Sequence, residues 1–324
     1  MTASAPFVAG TPPHPVGAAV RRDRILVVGT ARAGTSWLAR SLGQAARTRY
    51  YPEPDNIDSE HSGRDPGYLG FGPYPVLDPG DAPPSLAALW DFVFLGRMPA
   101  NRRLQLAAGR RFVKLPAAVR DPVFRAAAAS LSRLPGGPSH RVVKSIYVMF
   151  AIDWIAARYH PQVVLIQRHP LNVVSSWMQL GISSFDITTR PAILERHVRR
   201  LGIEPPPAGG PPLELAAWTV GLLTTVLAEV HTAHPEWPLY VHEDLCVDTE
   251  AKIHAIYDTL GLGWTERSAR HLAESNRPGE GLRPIRVTGE QPDRWKQRLS
   301  AAEASRIEDI LHAFPSRGWI RPPA

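Results

Sequence analysis

Two stretches of this chain carry residue types, at workable spacing, that bind phosphate. In the first, the apolar run Ile25-Leu26-Val27-Val28 leads into Gly29-Thr30-Ala31-Arg32-Ala33-Gly34-Thr35-Ser36-Trp37. A glycine-rich turn from a strand into a helix gathers backbone N–H groups at one point. It adds the positive end of the helix dipole, which makes an anion site by geometry. Gly29 and Gly34 keep the spacing of the nucleotide-triphosphate loop G-x-x-x-x-G-K-[ST]. Thr35 occupies the lysine slot, however, and the cation is Arg32, three places earlier. No clear apolar run ending in Asp offers a magnesium site. The loop is therefore expected to hold a phosphate, but not the β- and γ-phosphates of magnesium-bound ATP. Glycines at this spacing also serve a plain tight turn; the added Arg, Thr, Ser and Trp favour binding.

The second stretch is Gln167-Arg168-His169-Pro170-Leu171-Asn172-Val173-Val174-Ser175-Ser176-Trp177, after the apolar run Val163 to Ile166. Arg168 falls where a strand ends, and Ser176 lies eight residues on, inside the next helix. Open α/β sheets bind ligands outside the carboxyl ends of their strands. There, Arg168 can fork onto a phosphate while Ser176 donates a hydroxyl.

These stretches need a sheet and helices to place them. Arg141 to Lys144 and Pro238 to His242 are two further strand candidates. Helices are expected at Thr35 to Ala46, Val148 to Tyr159, Glu250 to Leu260 and Ala301 to Ala313. Ser300 and Glu303 form a capping-box pattern before the last. Strands alternating with helices predict an α/β fold with a mostly parallel sheet. A chain of 324 residues with 37 Lys plus Arg against 30 Asp plus Glu carries a net charge of +7. That excess invites an anionic partner: nucleic acid, an anionic membrane surface or a phosphorylated small ligand. No aromatic-interleaved basic stripe points to nucleic acid, and no apolar run approaches the ~18 residues of a membrane span. The single cysteine, Cys246, excludes an intramolecular disulfide framework and a Cys-based zinc cluster, and fits a reducing cytosol. Residues 1–22 lack the features of a secretory signal and are expected to be a loose tail. The 33 prolines concentrate in stretches such as Pro52 to Pro84 and Pro205 to Pro212, expected as loops on one domain.

In this order and separation, the two phosphate stretches resemble the sulfotransferases that use 3′-phosphoadenosine 5′-phosphosulfate (PAPS). The family's 5′-phosphosulfate loop reads like K-S-G-T-T-W, matched here by Arg32-Ala33-Gly34-Thr35-Ser36-Trp37. Its 3′-phosphate motif is an Arg with a Ser eight residues on, matched by Arg168 and Ser176. Its strand ending in Y-E-D is matched by Tyr240-Val241-His242-Glu243-Asp244, and its C-terminal basic loop before W-K by Arg283 to Gly289 and Arg294-Trp295-Lys296. The resemblance implies one α/β domain over residues 23–320: a central parallel sheet flanked by helices in a P-loop-like sulfotransferase fold. Acceptor and lid loops would lie around 51–110 and 178–215. It implies PAPS as donor, adenosine 3′,5′-bisphosphate as product, no metal, a small-molecule hydroxyl acceptor and a cytoplasmic location. Arg32 would touch the phosphosulfate bridge; Ala33, Gly34, Thr35 and Ser36 would cradle the 5′-phosphate, and Trp37 would pack on adenine. Arg168 and Ser176 would take the 3′-phosphate with Arg286, for which Arg283 or Arg294 could substitute.

Sulfuryl transfer to a hydroxyl needs a base. Some branches of the family use a His two residues after a lysine at a strand end, but here Lys144 is followed by Ser145 and Ile146. Others use a Glu shortly after the first helix. Glu53 in Tyr51-Pro52-Glu53-Pro54-Asp55-Asn56 matches that and is the candidate base. Lys144 is placed on the sulfuryl oxygens, with Lys114 as a weaker competitor. Aromatic and apolar residues of the inserted loops, among them Tyr74, Trp90, Phe94, Trp177 and Phe185, are expected to favour a hydrophobic alcohol. The rival readings are a P-loop kinase or NTPase, and a non-catalytic nucleotide- or nucleic-acid-binding protein.

Overall fold

A computed structural model describes residues 19–56, 73–96, 139–279 and 286–316. The elements of the first half are β1 (Arg21–Val28), α1 (Thr35–Leu42), β2 (Thr48–Pro52), α2 (Pro84–Leu95), β3 (His140–Ser145), α3 (Ile152–Tyr159), β4 (Pro161–Gln167) and α4 (Pro170–Gln179). Then come α5 (Pro212–Ala233), β5 (Leu239–Val241), α6 (Thr249–Leu260), α7 (Glu266–Ser275) and α8 (Ala301–Leu311). Among the described residues, five strands form one sheet in the order β2-β3-β1-β4-β5. Every neighbouring pair is parallel. The expected α/β architecture is therefore present, and β1 is its central strand.

Continuous apolar strands suit this sheet because it is covered on both faces. Along β1, Leu26 and Val28 join one core, and Ile25 and Val27 the other. β4 alternates in the same way: Val163 and Leu165 on one side, Val164 and Ile166 on the other. The first core also takes α5, α3 and α8, with Trp154, Leu223 and Ile307 inside it. The second takes one face of α1 and of α6, with Leu38, Leu42, Ile253 and Tyr257.

Several elements differ from expectation for physical reasons. β1 starts at Arg21 rather than Ile25, because its charged first residues run past the covered part of the sheet and are largely exposed. β2 has no apolar alternation to announce it; it is an edge strand in which only Tyr51 is buried. α1 stops at Leu42, where the Gly43 N–H closes on the Ala39 carbonyl. The expected helix after β3 divides into a 3₁₀ turn, Val148–Phe150, and α3. The segment 178–215, expected as a loop, holds the helical pieces Ile187–Thr189, Pro191–Ile193, Leu194–Val198 and Arg199–Leu201. Among the described residues, α5 alone is long and apolar enough to cross a membrane, and 78% of its most apolar window is buried inside the fold. It serves as a core helix. The tail 1–18, Lys114 and Arg283 lie outside the described residues.

Candidate active site

Each strand delivers one site residue at or just beyond its carboxyl end. In spatial order across the sheet these are Glu53 after β2, Lys144 near the end of β3, Arg32 in the loop after β1, Arg168 after β4 and His242 after β5. All five line one cavity of about 920 Å³. From β1 the chain runs to β2 and β3 on one side of it, and then crosses to β4 and β5 on the other; such a reversal of strand order is where an open α/β sheet makes a crevice. With strands about 4.8 Å apart, β2 and β3 give the cavity one half and β1, β4 and β5 the other.

The half over β1, β4 and β5 is built for anions. Gly34 precedes α1 with φ +93°, and no side chain caps the helix start. The first-turn N–H groups, which have no partner within a helix, stay available to a ligand. A Cβ on Gly34 would stand 2.3 Å from Cδ2 of His242, so the chain needs glycine there on two counts. Gly29 is required by proximity: a Cβ would lie 2.1 Å from the Ile166 carbonyl oxygen. Arg32 has φ +72°, uncommon for a residue with a side chain. Its Nε donates to Ser176 Oγ at 3.0 Å. Arg168 Nη1 donates to the Arg32 carbonyl at 3.3 Å, and Nη2 to the carbonyl and side-chain oxygens of Gln291 at 3.2 and 3.3 Å.

Burial lowers the Arg168 guanidinium to about 10, and Glu243, with its Oε1 3.7 Å from Arg168 Nε, opposes that shift. Glu243 also accepts from the His169 N–H at 3.2 Å and Asn172 Nδ2 at 3.0 Å, so it fixes the loop after β4. Asn172 then pins the C-terminal segment. Its Nδ2 donates to the Pro292 carbonyl at 2.8 Å, and its Oδ1 accepts from the Trp295 N–H at 3.0 Å. This docking brings Arg286, Arg294 and Arg298 to the cavity wall beside Arg32 and Arg168. Burial, followed by repulsion from Arg294, Arg168, Arg286 and Arg32, lowers Arg298 to about 10. Cations held close enough to disfavour one another's charge form a receptor for a multiply charged anion. Trp37 and His242 stand edge to face with ring centroids 5.8 Å apart. Burial, then Arg168, holds His242 well below the usual histidine range, so it stays neutral. The Cys246 thiol near it is pushed up to about 12 by burial and is no nucleophile.

The half over β2 and β3 carries a carboxylate. Pro52 pairs with Lys144 in the sheet, and the Glu53 N–H donates to the Lys144 carbonyl at 2.8 Å. Glu53 then turns with φ +43°. Lys144 Nζ donates to Glu53 Oε1, and Asn56 Nδ2 to Glu53 Oε2 at 3.1 Å. Burial, with Arg32 and Arg40 adding repulsion, lowers the Lys144 ammonium to about 7; the carboxylate on its Nζ acts the other way. Ile146 and Tyr147, which follow Lys144 in the chain, line the cavity next to this pair, Phe185 stands edge to face on Tyr147 with ring centroids 6.2 Å apart, and Leu180 and Ile182 add further apolar lining.

Among the residues anticipated from sequence, Arg32, Gly34, Thr35, Ser36, Trp37, Glu53, Lys144, Arg168, Ser176 and Arg286 all reach the cavity. Ala33 does not line it: it is fully buried, with its N–H turned to the Thr30 carbonyl at 3.1 Å. Of the loop aromatics, Phe185 is on the wall, whereas Tyr74, Trp90, Phe94 and Trp177 are fully buried in the core. Arg298 and Gln291 escaped notice. Three arginines between 286 and 298 were the available signal, but Arg294–Gln297 is a single 3₁₀ turn, so spacing alone does not aim them at one place.

Among solved structures, the chain is similar to the sulfotransferase domain from the curacin biosynthetic pathway, at 12% identity and a TM-score of 0.48, over 89% of this chain and 96% of that one. It is also similar to the sulfotransferase domain from the Synechococcus PCC 7002 olefin synthase, at 14% identity and a TM-score of 0.49, over 96% and 99% of the two chains. No family model and no curated protein matches it.

Proposed function

We propose that the protein moves a sulfuryl group from PAPS to the hydroxyl of a small-molecule acceptor. The observation that carries this reading is the cavity's division. An uncapped helix start and a cluster of arginines occupy one half, and an ion-paired carboxylate beside an apolar wall occupies the other. A nucleotide with phosphate at its 3′ end and phosphosulfate at its 5′ end matches the first half. Arg168, Ser176 and the arginines of the C-terminal segment hold the 3′-phosphate. The Gly34–Trp37 turn and Arg32 hold the 5′ end, and Trp37 and His242 offer ring surfaces to the base.

The transfer is a displacement in line at sulfur. The acceptor oxygen forms a bond to sulfur as the bond from sulfur to the 5′-phosphate oxygen breaks. Glu53 takes the acceptor's proton, and the phosphate oxygen leaves with the bonding electrons. Arg32, permanently charged, meets that developing charge but has no proton to give. Lys144 holds the Glu53 carboxylate in place through its Nζ, and its ammonium reaches the sulfuryl oxygens. Uncharged wall residues suit an apolar alcohol, and the lone cysteine suits a cytoplasmic setting.

Calorimetric titration with adenosine 3′,5′-bisphosphate tests the donor. Wild type is expected to bind, and Arg168→Ala to bind ~10–100-fold more weakly, the worth of a lost charge-assisted fork. No binding by folded wild type overturns the donor assignment. Magnesium-dependent ATP turnover in its place supports the kinase reading, and salt-steep DNA binding the nucleic-acid one.

A further inference from the structure

We infer that Asp55 is a positioning residue for the base: through Ser145 it clamps the Glu53 turn onto the end of β3 and sets the adjoining acceptor wall at the same time. This rests on the sulfotransferase reading of the site. Glu53 sits between Pro52 and Pro54, outside the regular sheet and in left-handed backbone. Such a turn keeps its shape only where its surroundings over-determine it. Two contacts are local: the Asn56 N–H donates to the Glu53 carbonyl at 3.1 Å, and Asn56 Nδ2 to the Glu53 carboxylate. Beyond the contacts of Glu53 itself with Lys144, a second long-range anchor is Asp55, 2% exposed, whose Oδ2 accepts the hydroxyl hydrogen of Ser145, itself fully buried.

That single bond orients two structures. With its hydrogen committed to Asp55, Ser145 Oγ turns its lone pairs to the N–H groups of Tyr147 at 3.0 Å and Val148 at 3.3 Å. Those N–H groups start the 3₁₀ turn after β3, and Ile146 and Tyr147 on the same stretch line the cavity. Ser145 also follows Lys144, the partner of Glu53. One carboxylate thus ties the base, its ammonium partner and the acceptor wall to one strand end. The electrostatics agree: burial pushes the Asp55 carboxyl up to about 7, while the Ser145 bond pulls it down. A chain does not bury a carboxyl completely beside its catalytic turn at no cost.

Asp55→Asn keeps the volume but replaces the carboxylate by a weaker, uncharged acceptor, and Ser145→Ala removes the hydroxyl and leaves the carboxyl in place, so the pair weakens the same bond from its two ends. Release of adenosine 3′,5′-bisphosphate from PAPS would be followed with 2-naphthol or water as the acceptor hydroxyl, alongside product affinity by calorimetry and amide exchange by mass spectrometry. Both variants are expected to lower kcat ~10-fold or more, with product Kd unchanged within about twofold. Amides of residues 53–56 should exchange ~10-fold faster while those of 163–177 stay as in wild type, as local opening of one unit requires. Unchanged kcat and unchanged exchange in both variants overturn the clamp, as does an equal loss of product binding, which marks general damage. Failure of wild type itself to bind the product or release it from PAPS instead overturns the sulfotransferase reading, and the exchange result still decides the clamp.

Discussion

Replacing Gly34 by alanine puts a single methyl group where the structure has least room for it. At φ +93° a residue with a Cβ pays ~1–2 kcal/mol for left-handed backbone. The same Cβ would stand 2.3 Å from Cδ2 of His242 and 3.1 Å from its Nε2. His242 is 6% exposed and held edge to face against Trp37, so relieving the overlap means pushing its ring off Trp37 or into the nucleotide cavity. Overpacking of that kind costs ~1–3 kcal/mol. Gly34→Ala is therefore expected to lose about 2–5 kcal/mol in urea unfolding. If the backbone shifts to relieve the overlap, the anion cradle moves with it, and affinity for adenosine 3′,5′-bisphosphate should fall at least ~10-fold, about 1.4 kcal/mol. His242→Ala separates the two costs. In the double variant the overlap vanishes and the backbone strain remains, so a stabilising coupling of ~1–3 kcal/mol is expected in the double-mutant cycle. Coupling below ~0.5 kcal/mol, the ordinary limit of additivity, would refute the claim that His242 limits this turn. A single variant as stable as wild type and equally tight for the nucleotide would refute the cradle itself.

Glu53→Gln should leave product affinity within about twofold while turnover falls ~100-fold or more, the usual worth of a positioned general base; near-full turnover removes Glu53 from that role. Arg298→Ala should weaken the nucleotide less than Arg168→Ala, ~3–10-fold, because it removes one cation from a cluster, and titrations at two salt concentrations check it. Asp55 predicts a pH dependence of stability. Its folded pKa, about 7, lies above the ordinary aspartate value of 3.8 because the carboxyl is buried. Between those values the native state binds the extra proton, so this group's contribution to stability is lost as pH rises from about 4 to about 7. Chemical unfolding of wild type and Asp55→Asn at pH 5 and pH 7 should show wild type losing more stability over that interval; parallel behaviour of the two contradicts the shift.

The donor half of the site was legible because it is local in sequence. A strand, a glycine turn and a helix start place Gly34, Thr35 and Ser36 with little help from elsewhere, and Arg168 with Ser176 repeats that logic one strand over. Both sets of strands announce themselves as unbroken apolar runs, since the sheet is covered on both faces. β2 was silent because an edge strand with one buried side chain, Tyr51, has no pattern to show. α2 and α5 were missed for the opposite reason: their apolar residues surround the helix, so no amphipathic stripe marks them. Arg298 and Gln291 required knowledge of where the C-terminal segment docks, which Asn172 decides from 120 residues away. Asp55 stood in plain view beside Glu53, but its buried partner, Ser145, is 90 residues distant.

The order of the strands has a consequence for how the reaction could be silenced. The proposed nucleotide cradle is mounted mainly on β1 and β4, which are hydrogen-bonded on both sides, whereas Glu53 rides on β2, which among the described residues has a neighbour on only one. Opening of a sheet starts at its edge, well below the free energy of global unfolding. On the function proposed above, a molecule with β2 peeled away would still grip its donor and would have no base near the sulfur. Solvent conditions or neighbours that favour that opening would thus stop transfer while the nucleotide stayed bound, leaving the group it carries unspent.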